Sequence, residues 1–324
     1  MKNELNDLTN TEWMISTKSV WLEDESRARI IQDVALRFQE WLKKQEDKDI
    51  LLERLEQPLP SVLLSTPPQR DDLKIQHPAT FAESDIARLI LFFTKEGELV
   101  LDPFLGSGST CIAAIGTGRR SIGVELVDKW AGLAQERINR LKYTFQLPLL
   151  PDNGNSQQTH LEATVLRGDA RVVLKSMETE SIDFIVTSPP YWGILNKRAD
   201  HKVKAERLSK NLPTRYSDQH EDLGNITEYD EFISSIGVVM RECFRLLRPK
   251  KYACIIVSDF RHKSRFVAHH TDISREMEKQ GYSLEGITIL VQNSKSLYPY
   301  GIPYAFVSNV HHQYVLVFRK PSVT

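Results

Sequence analysis

The chain has 324 residues, 41% of them hydrophobic, and a formal net charge of −1, which suits one large α/β domain with additions or two smaller domains. No stretch approaches 18 uninterrupted apolar residues and "MKNELNDLTNTEW" has no apolar h-region, so neither a membrane span nor a secretory leader is expected. Cys111, Cys243 and Cys254 are scattered and none has C-x-x-C spacing, which argues for small buried hydrophobes in a reducing interior and against a disulfide framework or a cysteine zinc site.

Residues 1–60 hold 13 acidic and 9 basic side chains. Ile31, Val34, Phe38, Trp41 and Leu42 recur at three- to four-residue spacing, predicting an amphipathic helix. A second charged helix is expected around "DILLERLEQ", before Pro58. A packing arm, a dimer contact and a DNA-recognition element all fit this region. "SVLLSTPPQ", residues 61–69, reads as a linker turn.

From residue 80 helices and strands alternate. "ESDIARLILFFTKEG" is a predicted helix, "ELVLDPF" a strand, "STCIAAIGTG" a helix stopped by glycine, "RSIGVEL" a strand and "KWAGLAQERINRLKY" a helix. Residues 145–160 are turn-rich. "ATVLRGDA" is the third strand, followed by a short helix to Met177, and "IDFIVTS" is the fourth. Residues 193–226 have no sustained period. "EYDEFISSIGVVMRECFRLL" is a helix ending near Pro249, and "YACIIVSDF", "LEGITILVQ" and "QYVLVFRK" are strands. Repeated β-α-β units with short links predict a mostly parallel, doubly wound α/β sheet with helices on both faces.

"LVLDPFLGSGST", residues 99–110, sets Gly106-Ser107-Gly108 between a strand and a helix. Glycines there permit a tight turn and close approach of a ligand, and the free N–H groups of the helix start face the same crevice. Glu125 ends the next strand and Asp169 the one after. Ligands of such sheets bind at this carboxyl edge, where a carboxylate can accept both hydroxyls of a ribose. The bland alternative makes Asp102, Glu125 and Asp169 turn and cap residues. No second Gly-x-x-Gly half and no following lysine mark a dinucleotide or Walker loop. Carboxylates at 102 and 125 suit a cation better than a pyrophosphate, and S-adenosylmethionine carries a sulfonium and an ammonium.

"IDFIVTSPPYWG", residues 182–193, then delivers Ser188-Pro189-Pro190-Tyr191 to the same edge, where the prolines end the strand and stiffen the backbone. Asp102 to Thr110 and Ser188 to Tyr191 together resemble the two signatures of the amino-methylating DNA methyltransferases. "HPATF", residues 77–81, and "RRSIGVEL", residues 119–126, resemble the family's upstream cofactor motif and the segment after its glycine loop. The resemblance runs from about residue 75 to 320 and implies a Rossmann-like class I methyltransferase sheet. Catalytic domain 71–324 would then follow an N-terminal helical extension, 1–70, with 193–226 a target-recognition insertion.

It also implies S-adenosylmethionine as cofactor, held by His77, Phe81, Asp102, Phe104, Gly106, Ser107, Gly108, Thr110, Glu125, Leu126, Asp169 and Ala170. His77 reads equally as a cap for the helix ahead of it. Catalysis would fall to Ser188, Pro189, Pro190 and Tyr191, with no metal. An exocyclic amine is a poor nucleophile because its lone pair is delocalised into the ring. Carbonyls of a proline-stiffened corner and the Ser188 hydroxyl can accept its N–H bonds, while Tyr191 offers a stacking face and Trp192 a wall. Methylation at carbon 5 of cytosine needs a nucleophilic thiol, and no cysteine lies near the corner, which excludes that route. In the family, serine at the corner accompanies N4-cytosine more often than N6-adenine. The expected substrate is therefore cytosine, flipped out of double-stranded DNA in the cytoplasmic nucleoid, with a cognate restriction endonuclease as partner. Adenine N6, a guanine amino group in RNA, and a catalytically silent nucleic-acid binder are the alternatives.

Phosphate contacts are expected from the insertion, where Lys197, Arg198, Lys202, Lys204, Arg207, Lys210 and Arg215 outnumber Asp200, Glu206 and Asp218. A second cluster, Arg248, Lys250, Lys251, Arg261, Lys263 and Arg265, flanks the fifth strand and reads equally as surface charge. "NSKSLYPYGIPYAFVSN" either lines the base pocket or connects strands. His311 and His312 have no evident metal partners.

Overall fold

Strand β5, Ile182–Thr187, is buried at every position, as expected of a strand covered on both faces of a parallel sheet. Residues 62–65, 72–77, 81–146, 162–193, 216–292, 295, 297–301 and 304–322 are described by the computed structural model. The two N-terminal helices, most of the 145–160 loop and all seven basic residues of the insertion lie outside them.

β5 pairs in parallel with β2, Leu99–Asp102, on one side and β6, Leu247–Val257, on the other. Beyond β2 stand β3, Arg120–Glu125, and β4, Ala163–Arg167, again parallel. Beyond β6 the last strand, β10 (His312–Arg319), runs antiparallel between β6 and β9, Ser283–Val291. A short edge strand, β1 (Val62–Leu64), completes the order β1-β9-β10-β6-β5-β2-β3-β4. Alternate residues point to opposite faces. Val100, Phe184, Val186, Cys254 and Ile256 meet helices α1, Glu83–Phe93, and α2, Ser109–Gly116. Leu101, Ile185, Ala253 and Ile255 meet the other face, built from α4, Ala170–Val173, α5, Tyr229–Leu246, and α6, His269–Lys279. Helix α3, Asp128–Gln146, packs on α2 at the β3–β4 end. All three cysteines are fully buried.

The chain walks outward from β2 to β4, then crosses back to place β5 on the other side of β2. That reversal is the switch point at which doubly wound sheets bind ligands. Both sequence signatures leave the sheet there.

Four local readings change. Val62–Leu64, read as part of a linker turn, pairs in parallel with Ile289–Val291, so the segment before residue 70 contributes a strand that covers the β9 edge. The helix before Pro249 ends at Leu246, but the strand expected from Tyr252 starts already at Leu247 and includes Pro249, with a register shift between Ile182 and Phe184 of β5. A hairpin of β7, Phe260–His262, and β8, Arg265–Val267, was not expected, nor was α6. The hairpin's strands are three residues each, and α6 offers only Ile273 and Met277 as a buried apolar pair at i, i+4.

Candidate active site

The two glycines of the loop after β2 serve different neighbours. Gly106 has φ +56, and a Cβ there would lie 3.1 Å from the His77 ring; Gly108 has φ +85, and its Cβ would lie 3.0 Å from that of Ala134 on α3. One clears space for the upstream segment and the other for helix packing. The Gly106 N–H donates to Glu125 Oε2 at 2.8 Å, and Val127 N–H donates to Oε1 at 2.9 Å. The Tyr216 hydroxyl, from the far end of the insertion, also donates to Glu125 Oε2, at 2.5 Å. Its ring and that of Trp130 pack edge-on against His77.

Burial pushes the Glu125 carboxyl up to about 7 from 4.5, only partly opposed by those three donors. A group whose pKa is raised on folding stabilises fully below its unfolded value, and that contribution is lost as pH rises through the folded value. Glu125→Gln is therefore expected to be the more stable form above pH 7, by up to about 3 kcal/mol, with the gap closing towards pH 4.5. Urea unfolding of both proteins across that range measures it.

Asp102 also joins the two signatures. It is 3% exposed and does not line the cavity. Its Oδ1 accepts from the Phe104 N–H at 3.0 Å and from the Thr187 hydroxyl at 2.6 Å, while Oδ2 accepts from Thr110 at 2.6 Å. Thr187 is the residue before Ser188. One carboxylate thus ties the glycine loop, the start of α2 and the Ser-Pro-Pro-Tyr corner together. Burial raises its pKa, with the two hydroxyls and the amide working against that.

At the corner, the Tyr191 hydroxyl accepts from Gln313 Nε2 on β10 at 2.7 Å, and burial raises its pKa, with Gln313 and Ser188 working against that. Gln313 Oε1 in turn accepts from Gln292 Nε2 at 2.9 Å. This amide chain fixes the tilt of the Tyr191 ring. Trp192, expected as a wall of the base pocket, is half-buried against the core. Its Nε1 donates to Ile226 O at 3.0 Å and its ring packs with Tyr229, Phe260 and His262.

Loop and corner open onto one cavity of about 420 Å³. His77, Phe81, Phe104, Gly106, Ser107, Thr110, Glu125, Leu126, Asp169 and Ala170 line it together with Ser188, Pro189, Pro190 and Tyr191; of the expected cofactor residues, Asp102 and Gly108 do not. Asp169 caps α4 through the Arg171 N–H at 2.8 Å and pairs with the Arg171 side chain, so cap and lining residue coincide. Ser258, Asp259, Gln292 and Gln313 also line it and were not anticipated, as does Lys295 from the 293–309 segment, for which lining the base pocket was one of the two readings.

Behind the glycine loop lies a buried ion cluster that sequence reading missed. Glu83, 4% exposed, accepts from Lys74 Nζ at 2.5 Å and from Arg137 Nη2 at 2.8 Å, and Ser109 Oγ donates to it at 3.0 Å. Arg137 also reaches the Ser107 carbonyl, and Lys74 the Phe81 carbonyl at 2.6 Å. Burial pushes the Glu83 carboxyl up, but Lys74 and Arg137 outweigh it and hold it below its ordinary value.

The second basic cluster divides. Arg248 pairs with buried Asp183 and Lys251 with Glu98, at the amino edge of the sheet. Arg261, Lys263 and Arg265 sit on the β7–β8 hairpin at the carboxyl edge.

The chain is similar to YubD of Escherichia coli (strain K12), 41% identical over 70 residues, which are 22% of this chain and 31% of that protein. It is similar to the type II methyltransferase M2.DpnII of Streptococcus pneumoniae, 41% identical over 63 residues, or 19% and 24% of the two chains. Each match thus spans under a third of the relative's own length. TTHA0409 of Thermus thermophilus, solved in complex with S-adenosyl-L-methionine, aligns at 28% identity and a TM-score of 0.33, over 48% of this chain and 55% of that one. The model of the DNA methylase family matches residues 6–136 and 182–324, both signatures included, and the protein belongs to that family of N6- and N4-directed methylases.

Proposed function

We propose that this protein transfers a methyl group from S-adenosylmethionine to the exocyclic N4 of cytosine in DNA. The observation that supports it most is the single cavity at the β2–β5 switch point, lined by Gly106 and Pro189 together. The cofactor's requirements fit the residues present. A cavity-facing hydroxyl, that of Tyr216, already bonds Glu125, so this carboxylate is placed to accept hydroxyls such as those of a ribose. Asp169 adds a second carboxylate, and Phe81, Phe104 and Leu126 add apolar surface for an adenine ring. When bound, S-adenosylmethionine supplies an electrophilic methyl on a positively charged sulfur.

The chain's own work is to bind and align. The Ser188 hydroxyl and the carbonyls of the diproline corner accept the N–H bonds of the target amine and localise its lone pair. Tyr191, its tilt set by Gln313, carries the flipped base on its face. Asp102 holds loop and corner in one frame, so attacking nitrogen and methyl stay in line. Serine rather than aspartate at 188 supports cytosine over adenine. The basic residues from Lys197 to Arg215 are read as phosphate contacts of the recognition insertion.

Mass spectrometry of nucleosides from DNA treated with the protein and cofactor tests this. N4-methylcytosine is expected. N6-methyladenine would move the target to adenine, and methylation of RNA alone, or none despite cofactor binding, would end the reading.

A further inference from the structure

The β7–β8 hairpin begins one residue beyond Asp259 of the cavity lining. Its register, His262 opposite Arg265, leaves a two-residue turn of Lys263 and Ser264. Both have positive φ, 47° and 65°, as a type I′ hairpin turn requires, although lysine and serine seldom adopt it. Residues 260–268, "FRHKSRFVA", contain three permanent cations and no acid. Neither Lys263 nor Arg265 forms an ion pair among the described residues, and Phe266 is 48% exposed, with the Arg261 guanidinium 5.6 Å from its ring.

A lone two-stranded hairpin is marginal in water, yet the root of this one is clamped. The His262 ring lies 4.6 Å from that of Trp192, and Phe260 packs with Trp192, Tyr229 and His269. Trp192 directly follows Tyr191. A basic tip with an exposed aromatic is thereby fixed to the catalytic corner itself, one residue from Asp259 of the cavity lining.

We propose that this hairpin is a DNA-contacting element, with Lys263 and Arg265 on phosphates beside the extruded nucleotide and Phe266 against the exposed face of a neighbouring base or sugar. The inference rests on the proposed DNA substrate. Uncompensated cations suit a polyanion, and positioning contacts of this kind go to phosphates. An apolar side chain placed beside a flipped base can cover the gap in the stack.

Titration of a labelled DNA duplex by fluorescence anisotropy, at several salt concentrations, tests it. The double variant Lys263→Asn/Arg265→Gln keeps a residue tolerant of the left-handed turn. It is expected to bind DNA about tenfold more weakly and to lower the log–log salt slope by about 2, with S-adenosylmethionine affinity within twofold of wild type. Lys250→Asn removes a charge from another exposed left-handed position, at the opposite edge of the sheet, and should change neither. Unchanged affinity and slope in the double variant, with wild type binding DNA, would overturn the proposal. So would an equal loss from Lys250→Asn, which would mark a general charge effect. Wild-type protein that binds cofactor but no DNA would remove the proposed substrate instead, and the hairpin's role with it.

Discussion

Ser188→Ala is expected to slow methyl transfer by about 10²- to 10³-fold, the scale seen when one preorganised polar contact is lost from a reacting centre, while S-adenosylmethionine affinity stays within twofold. The separation follows from geometry. Ser188 follows β5 directly, whereas Glu125 ends β3 and takes its donors from Gly106, Val127 and Tyr216. Glu125→Ala should do the reverse and weaken cofactor binding first. Isothermal titration of cofactor beside single-turnover methylation tells the two apart. Equal loss of affinity from both changes would dissolve the division of roles. Asp102→Asn belongs to neither class: with bonds to Thr110 on one side and Thr187 on the other, it should impair affinity and turnover together.

The largest effect on stability is expected at Glu83. Removing it strands Lys74, 0% exposed, and Arg137, 7% exposed, and breaking one partner of a buried ion cluster costs about 3–5 kcal/mol. Glu83→Ala should show that loss in urea unfolding, and Lys74→Met a comparable one. Because the carboxyl is held below its ordinary value of 4.5, its contribution is present above that pH and falls away as pH drops through the lowered value. The wild-type advantage over Glu83→Gln should therefore shrink in acid. A loss of less than 1 kcal/mol in Glu83→Ala would mean that water reaches the cluster.

What the sequence revealed and what it hid divide by range. Every strand of the central sheet except β1 announced itself by a local apolar run, and the two signatures by fixed short spacing. Their meeting followed from the rule that crossovers return a chain to a switch point. The supports of the site are not local. Gln313 reaches Tyr191 across 122 positions, Tyr216 reaches Glu125 across 91, and Arg137 reaches Glu83 across 54. Nothing in the neighbourhood of Glu83 sets it apart from a solvated first-turn helix residue. Asp102 was recognisable as part of a signature, but its partners at Thr110 and Thr187 were not, so its bracing role was not legible. The β7–β8 hairpin escaped because three-residue strands carry too little periodicity to register.

The Asp102 brace has a mechanical consequence. With hydroxyls from the start of α2 and the end of β5 anchored on one carboxylate, the glycine loop and the Ser-Pro-Pro-Tyr corner are coupled mechanically. If the proposed transfer takes place here, thermal motion would shift the two in step, and the separation between methyl donor and target amine would vary less than the absolute position of either side.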